Sequence, residues 1–411
     1  MAALNTPDKP TVLFIAPVEP WCRENGSSVI TADMLDGLLR NSDVDLLPVF
    51  LREPPPGYQK SAPPGNNGIQ LSLEGLPRWA SVLRALARRT TPVRMRFANG
   101  KVAKRVHDVV KARNFRPDVI HVEHLPLVDI GLKLARIYKA PLVYRAHNIE
   151  AQLWARRLGV NGKAGRAIAQ YLNRSEAEAM QKCDLTLCIS DVDLAWVMTN
   201  APGVRAELLP AALLVDRYDA VPARYTNADP QICFVGGLEW APNEVGLRWF
   251  VDLVLPKVLE AVPDAKLAVL ARGAAQRDWL RDHPAVQLLP PEADAPSLFA
   301  SSRVSVAPLL QGGGVRIKIL ESLALGCPVV ATPIGGEGLE LPALTRTDDT
   351  NAFAQACVQH LQAVPDTAFR RRLRAAVDTH NGAEAVAQRL VNSWLALAGH
   401  PLTEERAVRA V

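Results

Sequence analysis

Three consecutive glycines, Gly312, Gly313 and Gly314, followed by Arg316, Lys318 and Glu321, mark where this chain can do chemistry. Glycines let backbone N–H groups close on an anion, and a helix opening behind them turns its partly positive end to the same place. A β-like run over residues 304–310 precedes the glycines, and a helix-like run over 315–325 follows. On that helix Gly314, Lys318 and Glu321 stand at i, i+4 and i+7 and share one face. A cation and a carboxylate above an anion nest suit a ligand with phosphate at one end and hydroxyls nearby, as in a nucleotide diphosphate. A buried-strand pattern over 327–331 and a second glycine turn over 335–338 complete the segment.

The elements that must position these residues come in two series. The first has strands at 11–17, 44–51, 119–122, 142–145 and 185–189, with a loop containing Gly26 and a helix over 28–40 after the first strand. Residues 54–67 are too rich in Pro and Gly for regular structure. Residues 76–86 carry Leu76, Trp79, Val82, Leu83 and Leu86 at helical spacing, with arginines around them. A linker over about 210–230 breaks the pattern. The second series follows: strand 232–236, helix 244–262, strands 266–270 and 286–289, helix 295–300, strand 304–307 and the glycine segment. An amphipathic helix over 383–398 ends the pattern. Strand–helix alternation implies parallel sheets covered on both faces. The expected domains are 1–210 and 211–382, with 383–411 packing back toward the first. Two doubly wound α/β domains bind ligands outside the carboxyl ends of their strands, and a cleft between the two is expected here.

Composition bounds the partners. The 411 residues are too many for one ordinary domain, and 48% hydrophobic with 22% charged content is that of a soluble globular chain. The polar start and the short apolar run after it fit neither a signal peptide nor a membrane span. Six scattered cysteines without a Cys-x-x-Cys pair read as free thiols in a reducing cytoplasm, and no zinc site follows from them. The net charge of +5 hides an asymmetry: residues 77–116 carry twelve Lys/Arg against Asp108 alone. So local an excess points to an anionic surface. No nucleic-acid motif accompanies it, which favours a membrane surface met by residues 76–116. A nicotinamide enzyme would need Gly-x-Gly-x-x-Gly after a strand, and a P-loop enzyme Gly-Lys-Ser/Thr; neither is present.

Phe234-Val-Gly-Gly-Leu with Pro242-Asn243, the run 312–321 and Pro328-Val-Val-Ala-Thr through Gly335-Gly-Glu-Gly-Leu resemble the GT-B-fold retaining glycosyltransferases of family 4. Arg145-Ala-His-Asn-Ile-Glu and Cys183-Asp-Leu-Thr-Leu-Cys-Ile-Ser do so too. The likeness runs from about Val12 to Trp394 and is nearest the branch that works on exopolysaccharides and lipid-linked sugars. It implies two Rossmann-like domains. It also implies transfer of a hexose from a nucleotide-diphosphate sugar to a glycan or lipid-linked acceptor, with retention and without metal or other cofactor. By the same resemblance Glu321 grips the ribose, Gly237, Gly312, Gly313 and Gly314 lie along the donor, and Gly26 approaches its phosphates. His147 and Glu123 would face donor sugar and acceptor. The implied location is the cytoplasm, peripheral on the inner face of the membrane.

The chain departs from that family in three places. The carboxylate many relatives carry eight positions before Glu321 is Gly313 here. Residues 237–243 lack the Arg and Lys that neutralise the leaving diphosphate, and Pro210-Ala-Ala replaces the linker Asn-Gly. Arg316 and Lys318 are the substitutes expected for the missing cations. Structural roles compete for several of these residues: Glu123 in an ion pair, His147 as a bonded strand-end group, His121 and His124 as packing, Gly26 as a turn, Asn243 as a helix cap. A nucleotide-sugar epimerase of the same fold and a non-catalytic nucleotide-sugar-binding partner are the alternative functions.

Overall fold

The structure is a computed structural model. It describes residues 9–399 apart from 24, 41–43, 54–67, 74–75, 89, 98–99, 158–161, 222–229, 291 and 364–365. The Pro/Gly-rich loop expected over 54–67 therefore lies outside the described residues. The chain forms two compact units, Met1–Ala212 with Ala383–Val411, and Leu213–Gly382.

In the first unit the described strands are β1 (Thr11–Val18), β2 (Asp45–Arg52), β3 (Ile69–Gln70), β4 (Val119–Glu123), β5 (Leu142–Ala146), β6 (Leu185–Cys188) and β7 (Ala206–Leu208). They pair in parallel in the order β3-β2-β1-β4-β5-β6-β7. Strands β4 and β5 are buried along their whole length because helices cover both faces. One apolar layer gathers Val12, Phe14, Leu35 and Leu187 with Val386, Leu390 and Trp394 of the Ala383–Ala398 helix. That helix lies against the Gly26–Arg40 helix at Gly37, where a Cβ would stand 2.4 Å from the Ala383 carbonyl oxygen. Only glycine permits so close a crossing.

The second unit holds β8 (Gln231–Val235), β9 (Lys266–Leu270), β10 (Val286–Leu288), β11 (Val304–Ala307), β12 (Val329–Ala331) and β13 (Leu344–Arg346). They are again parallel, in the order β10-β9-β8-β11-β12-β13. A parallel bridge between Leu213 and Gly382 ties its two ends together. The single helix expected over 244–262 is three pieces: Ala241–Trp249, a π-turn over Phe250–Val254 and Leu255–Ala261. Pro256 at the head of the last piece has no N–H to give the preceding turn, and the wider π-turn absorbs the gap.

Each sheet reverses its strand order once, between β1 and β4 in the first unit and between β8 and β11 in the second. The crevice outside such a reversal is where doubly wound folds take ligands. Ser27, His124 and His147 follow β1, β4 and β5; Gly237 and the triple glycine follow β8 and β11.

Candidate active-site residues of the two units

In the second unit the backbone turns at Gly312 with φ 127° and at Gly314 with φ 85°, conformations that side chains resist. The helix begins later than its apolar periodicity suggests, at Ile317, and ends at Ala324. Gly314 therefore lies outside it and does not share a helical face with Lys318 and Glu321, contrary to the expectation. Arg316 is not helical either: it caps the helix in extended conformation. Its guanidinium folds back over the Trp240 ring at 5.2 Å, and a Cβ on Gly312 would stand 2.8 Å from Arg316 Nη2. The cation is thus packed on the glycine turn.

Lys318 turns inward to the end of β8. Its Nζ donates to the Val235 carbonyl at 3.0 Å and to Asn243 Oδ1 at 3.5 Å, and stands 4.8 Å from the Phe234 ring centre. Burial, and then the charge of Arg316, pull this amine down from 10.5 to about 7. Asn243 is no helix cap, since Trp240 holds that position. Its Nδ2 donates instead to the Gly237 carbonyl at 2.9 Å, so the Gly237 loop, Asn243 and Lys318 are one bonded group.

Glu321 lies one helical turn after Lys318. Tyr218 donates its phenol proton to Glu321 Oε1 at 2.8 Å; Arg217 Nη2 donates to that phenol oxygen at 2.6 Å and lies 3.7 Å from the carboxylate. Burial and the Glu321 charge both raise the phenol's pKa, so it stays a donor. Arg217 and Tyr218 come from a short 3-10 turn, Val215–Tyr218, inside what reads as linker. Nothing in its spacing announces them. The second glycine turn braces the site: Gly335 N donates to Thr332 Oγ1 at 2.9 Å, Thr332 donates to the Leu309 carbonyl, and a Cβ on Gly335 would meet the Ala307 carbonyl at 2.0 Å.

In the first unit Glu123 is fully buried at the end of β4. Its carboxylate accepts from His121 Nε2 at 2.8 Å and from His147 Nε2, with Arg145 Nη1 3.8 Å away. Burial alone would raise its pKa. The His147 ring, the Arg145 guanidinium and the two imidazole hydrogen bonds overcome that and hold it well below the usual carboxylate range. Burial lowers the pKa of His121, His124 and His147, so all three rings are neutral near pH 7. His147 Nδ1 and His124 Nε2 both meet Ser27 Oγ, at 3.1 and 3.0 Å, and the two rings stack at 3.9 Å. His124 is held at φ 71°, a strained setting of the kind that collects at functional sites. Gly26 is not in a loop but is the first residue of the Gly26–Arg40 helix, immediately before Ser27.

Glu123, His124 and His147 are the one group among the described residues whose donor atoms come close enough together, within 4.8 Å, to suggest a cation. Their geometry speaks against it. Both nitrogens of His147 and Nε2 of His124 are already directed to Glu123 and Ser27, which makes a hydrogen-bond chain. Beside it lies a cavity of about 290 Å³, whose lining includes Ser27, Arg52, Arg96, Phe97, His124 and Glu150.

Two family models match the chain, "Glycosyltransferase Family 4" over residues 24–210 and "Glycosyl transferases group 1" over residues 229–363. The chain is 30% identical over 129 residues to an uncharacterized 44.6 kDa protein in the cps region of Klebsiella pneumoniae, covering 28% of this chain and 33% of that protein. It is 30% identical over 215 residues to a phosphatidyl-myo-inositol mannosyltransferase of Mycobacterium leprae, covering 49% of this chain and 54% of the relative. The chain thus spans about half the length, or less, of these curated relatives. Among solved structures, Anabaena Alr3699/HepE in complex with UDP and glucose matches 94% of this chain and 100% of its own, with a TM-score of 0.58 and 13% identity. That likeness is one of fold, and the fold is GT-B.

Proposed function

The chain belongs to the family 4 glycosyltransferases of GT-B fold, and from that premise we propose that it moves a hexose from a nucleotide-diphosphate sugar to a hydroxyl of a glycan or lipid-linked glycan, with retention and without a metal. One observation carries the reading: the left-handed turn at Gly312 and Gly314 with Arg316 packed on it, Lys318 beneath and Glu321 one helical turn beyond. Glycine N–H groups and two cations suit a diphosphate; Glu321, held by Tyr218 and Arg217, offers its remaining lone pairs to vicinal hydroxyls. The matched family and the named relatives favour transfer over an epimerase or a partner without turnover.

In the proposed step the bond from the anomeric carbon to phosphate oxygen breaks and a bond from that carbon to the acceptor oxygen forms. The acceptor proton passes to the departing phosphate oxygen on the same face, so configuration is retained and no protein base is consumed. Negative charge grows on the phosphate, where Arg316, Lys318 and the glycine N–H groups stabilise it. Losing one such donor costs roughly 3–4 kcal/mol of barrier. His147, held by Glu123 at Nε2, would take a sugar hydroxyl at Nδ1 in place of the Ser27 hydroxyl. The first unit's cavity, lined by Ser27, His124, Arg52 and Arg96 among others, would seat the acceptor.

Collection of a lipid-linked acceptor would use the Arg78–Arg88 helix. It buries Ser81 and Ala85 and turns Trp79, Val82 and Leu83 outward, with Trp79 69% and Leu83 59% exposed. Apolar residues in water within so basic a segment suit contact with anionic lipid. Among the described residues no helix is long and apolar enough to cross a membrane. The test of the whole reading is a thermal-shift panel of nucleoside diphosphates and nucleotide sugars, followed by turnover with the best donor. One base should stabilise the chain through mass action. No shift with any nucleotide would end the proposal.

A further inference from the structure

Trp394 and His121 stand behind the Glu123–His147 pair, and the proposed chemistry uses neither. Trp394 is fully buried on the Ala383–Ala398 helix and meets the His121 ring edge-on at 5.4 Å. Its Nε1–H donates to His121 Nδ1 at 3.3 Å. An indole N–H can only donate, so Nδ1 must present a lone pair and the ring proton sits on Nε2. From there it donates to Glu123 Oε1 at 2.8 Å. Phe14 of β1 stacks on the same ring at 4.9 Å and fixes its plane.

We propose that Trp394 and His121 are positioning residues that keep the Glu123 carboxylate charged and committed to His147. The indole N–H occupies the one place where His121 would take a second proton, so His121 hydrogen-bonds to Glu123 without neutralising it. The charged and titratable groups around His121 are Glu123 on its own strand, Arg145 on β5 and His147 just after it. Phe14 from β1 and Trp394 from the final helix bring no charge. With the carboxylate free of an ion pair to His121, His147 is held as the Nε2–H tautomer and its Nδ1 is an acceptor. The Ser27 hydroxyl donates to that nitrogen and accepts from His124 Nε2–H in turn. The donors therefore run one way on each side of Glu123, and His147 offers a lone pair to a hydroxyl. What this does for sugar transfer rests on the proposed function; the ring protonation states do not.

The test is read from the ring nitrogens of the full chain labelled with ¹⁵N-histidine, between about pH 5 and 8, without substrate. His121→Gln assigns the His121 signals. In the parent, His121 is expected to keep an unprotonated Nδ1 through the range, and His147 to show a protonated Nε2 with a bare Nδ1. In Trp394→Phe, which keeps an aromatic ring but not the N–H, His121 should take up a second proton as pH falls, and the His147 signals should move with it. Adding His121→Gln to that variant supplies a donor to Glu123 that never protonates, and should return His147 to the parent's signals. A doubly protonated His121 in the parent, or a Trp394→Phe titration identical to the parent's, would overturn the proposal. The parent spectrum decides alone should Trp394→Phe not fold. Because no substrate is present, a failure of the transferase reading would leave these signals unchanged.

Discussion

Replacing Lys318 with methionine separates what the buried amine does for stability from what it does for a ligand. The folded amine is pulled from 10.5 to about 7 by burial and by Arg316. Between those two values the unfolded chain holds a proton that the folded chain has released, so stability rises with pH across that window. At about 1.4 kcal/mol per pH unit the full shift sets a ceiling of roughly 5 kcal/mol. Lys318 is only half-buried, water screens part of the cost, and a rise of roughly 2 kcal/mol is the expected size. Denaturant unfolding of the parent at pH 7 and pH 10 measures it; in Lys318→Met the rise should vanish. A diphosphate placed beside the amine would favour its charged form. Binding of the preferred nucleoside diphosphate at about pH 8.5 should therefore take up close to one proton, seen in calorimetry as a binding enthalpy that depends on the buffer. Lys318→Met should lose that uptake and about tenfold or more in affinity. Buffer-independent enthalpies in the parent would refute the placement of a diphosphate at Lys318, and a flat parent stability from pH 7 to 10 would refute the argument from burial.

Three further outcomes can be measured. The parent should bind a ribonucleoside diphosphate about tenfold or more tighter than its 2′,3′-dideoxy analogue, worth roughly 1.5–3 kcal/mol for hydrogen bonds to a charged group; Glu321→Ala should bind the two alike in calorimetry. Gly246→Ala would put a Cβ 2.2 Å from the Pro308 carbonyl oxygen, displacing the chain that leads to the triple glycine. A loss of roughly 1–3 kcal/mol in unfolding free energy is expected, with weaker nucleotide binding. Trp79→Glu combined with Leu83→Glu should abolish co-sedimentation with anionic vesicles while leaving the melting temperature unchanged, since both side chains stand in water; undiminished sedimentation would remove the membrane contact.

The strands were the most legible part of the sequence, because parallel strands covered on both faces are continuous apolar runs: β9 and β11 lie where their patterns place them, over Lys266–Leu270 and Val304–Ala307. Helix starts were harder. Apolar periodicity carries the 315–325 helix back to Val315, but the glycine turn and the extended Arg316 delay it to Ile317. At Gly26 the opposite happened, and the helix reaches further back than its apolar residues do. The glycine turn at Gly312 and the shared helix of Lys318 and Glu321 could be read because glycine runs and charges at fixed spacing leave a local trace. Tyr218, Trp240 and Trp394 left none. Each acts through a partner far along the chain — Tyr218 on Glu321, Trp240 under Arg316, Trp394 on His121 — and such pairings exist only once the strands are in register. Ser27 is the one omission that nearness could have suggested, since it follows Gly26 at the start of the helix after β1. The apolar stripe of residues 76–86 was visible, but not that Trp79, Val82 and Leu83 would turn outward, because periodicity alone does not say which side of a helix meets a sheet.

Because the Ala383–Ala398 helix returns to the first unit, the second unit is in effect spliced into the first, and the two have different histories on the ribosome. Residues 1–212 leave the exit tunnel first yet lack Val386, Leu390 and Trp394, which complete the apolar layer over one side of their sheet. At roughly 5–20 residues per second, ten to forty seconds of further translation pass before those side chains arrive. The inserted unit, whose ends are bridged at Leu213 and Gly382, is translated within that interval. The half that starts first closes last, and a nascent chain stalled before residue 383 would leave the apolar layer around Phe14 and Leu187 partly open to chaperones.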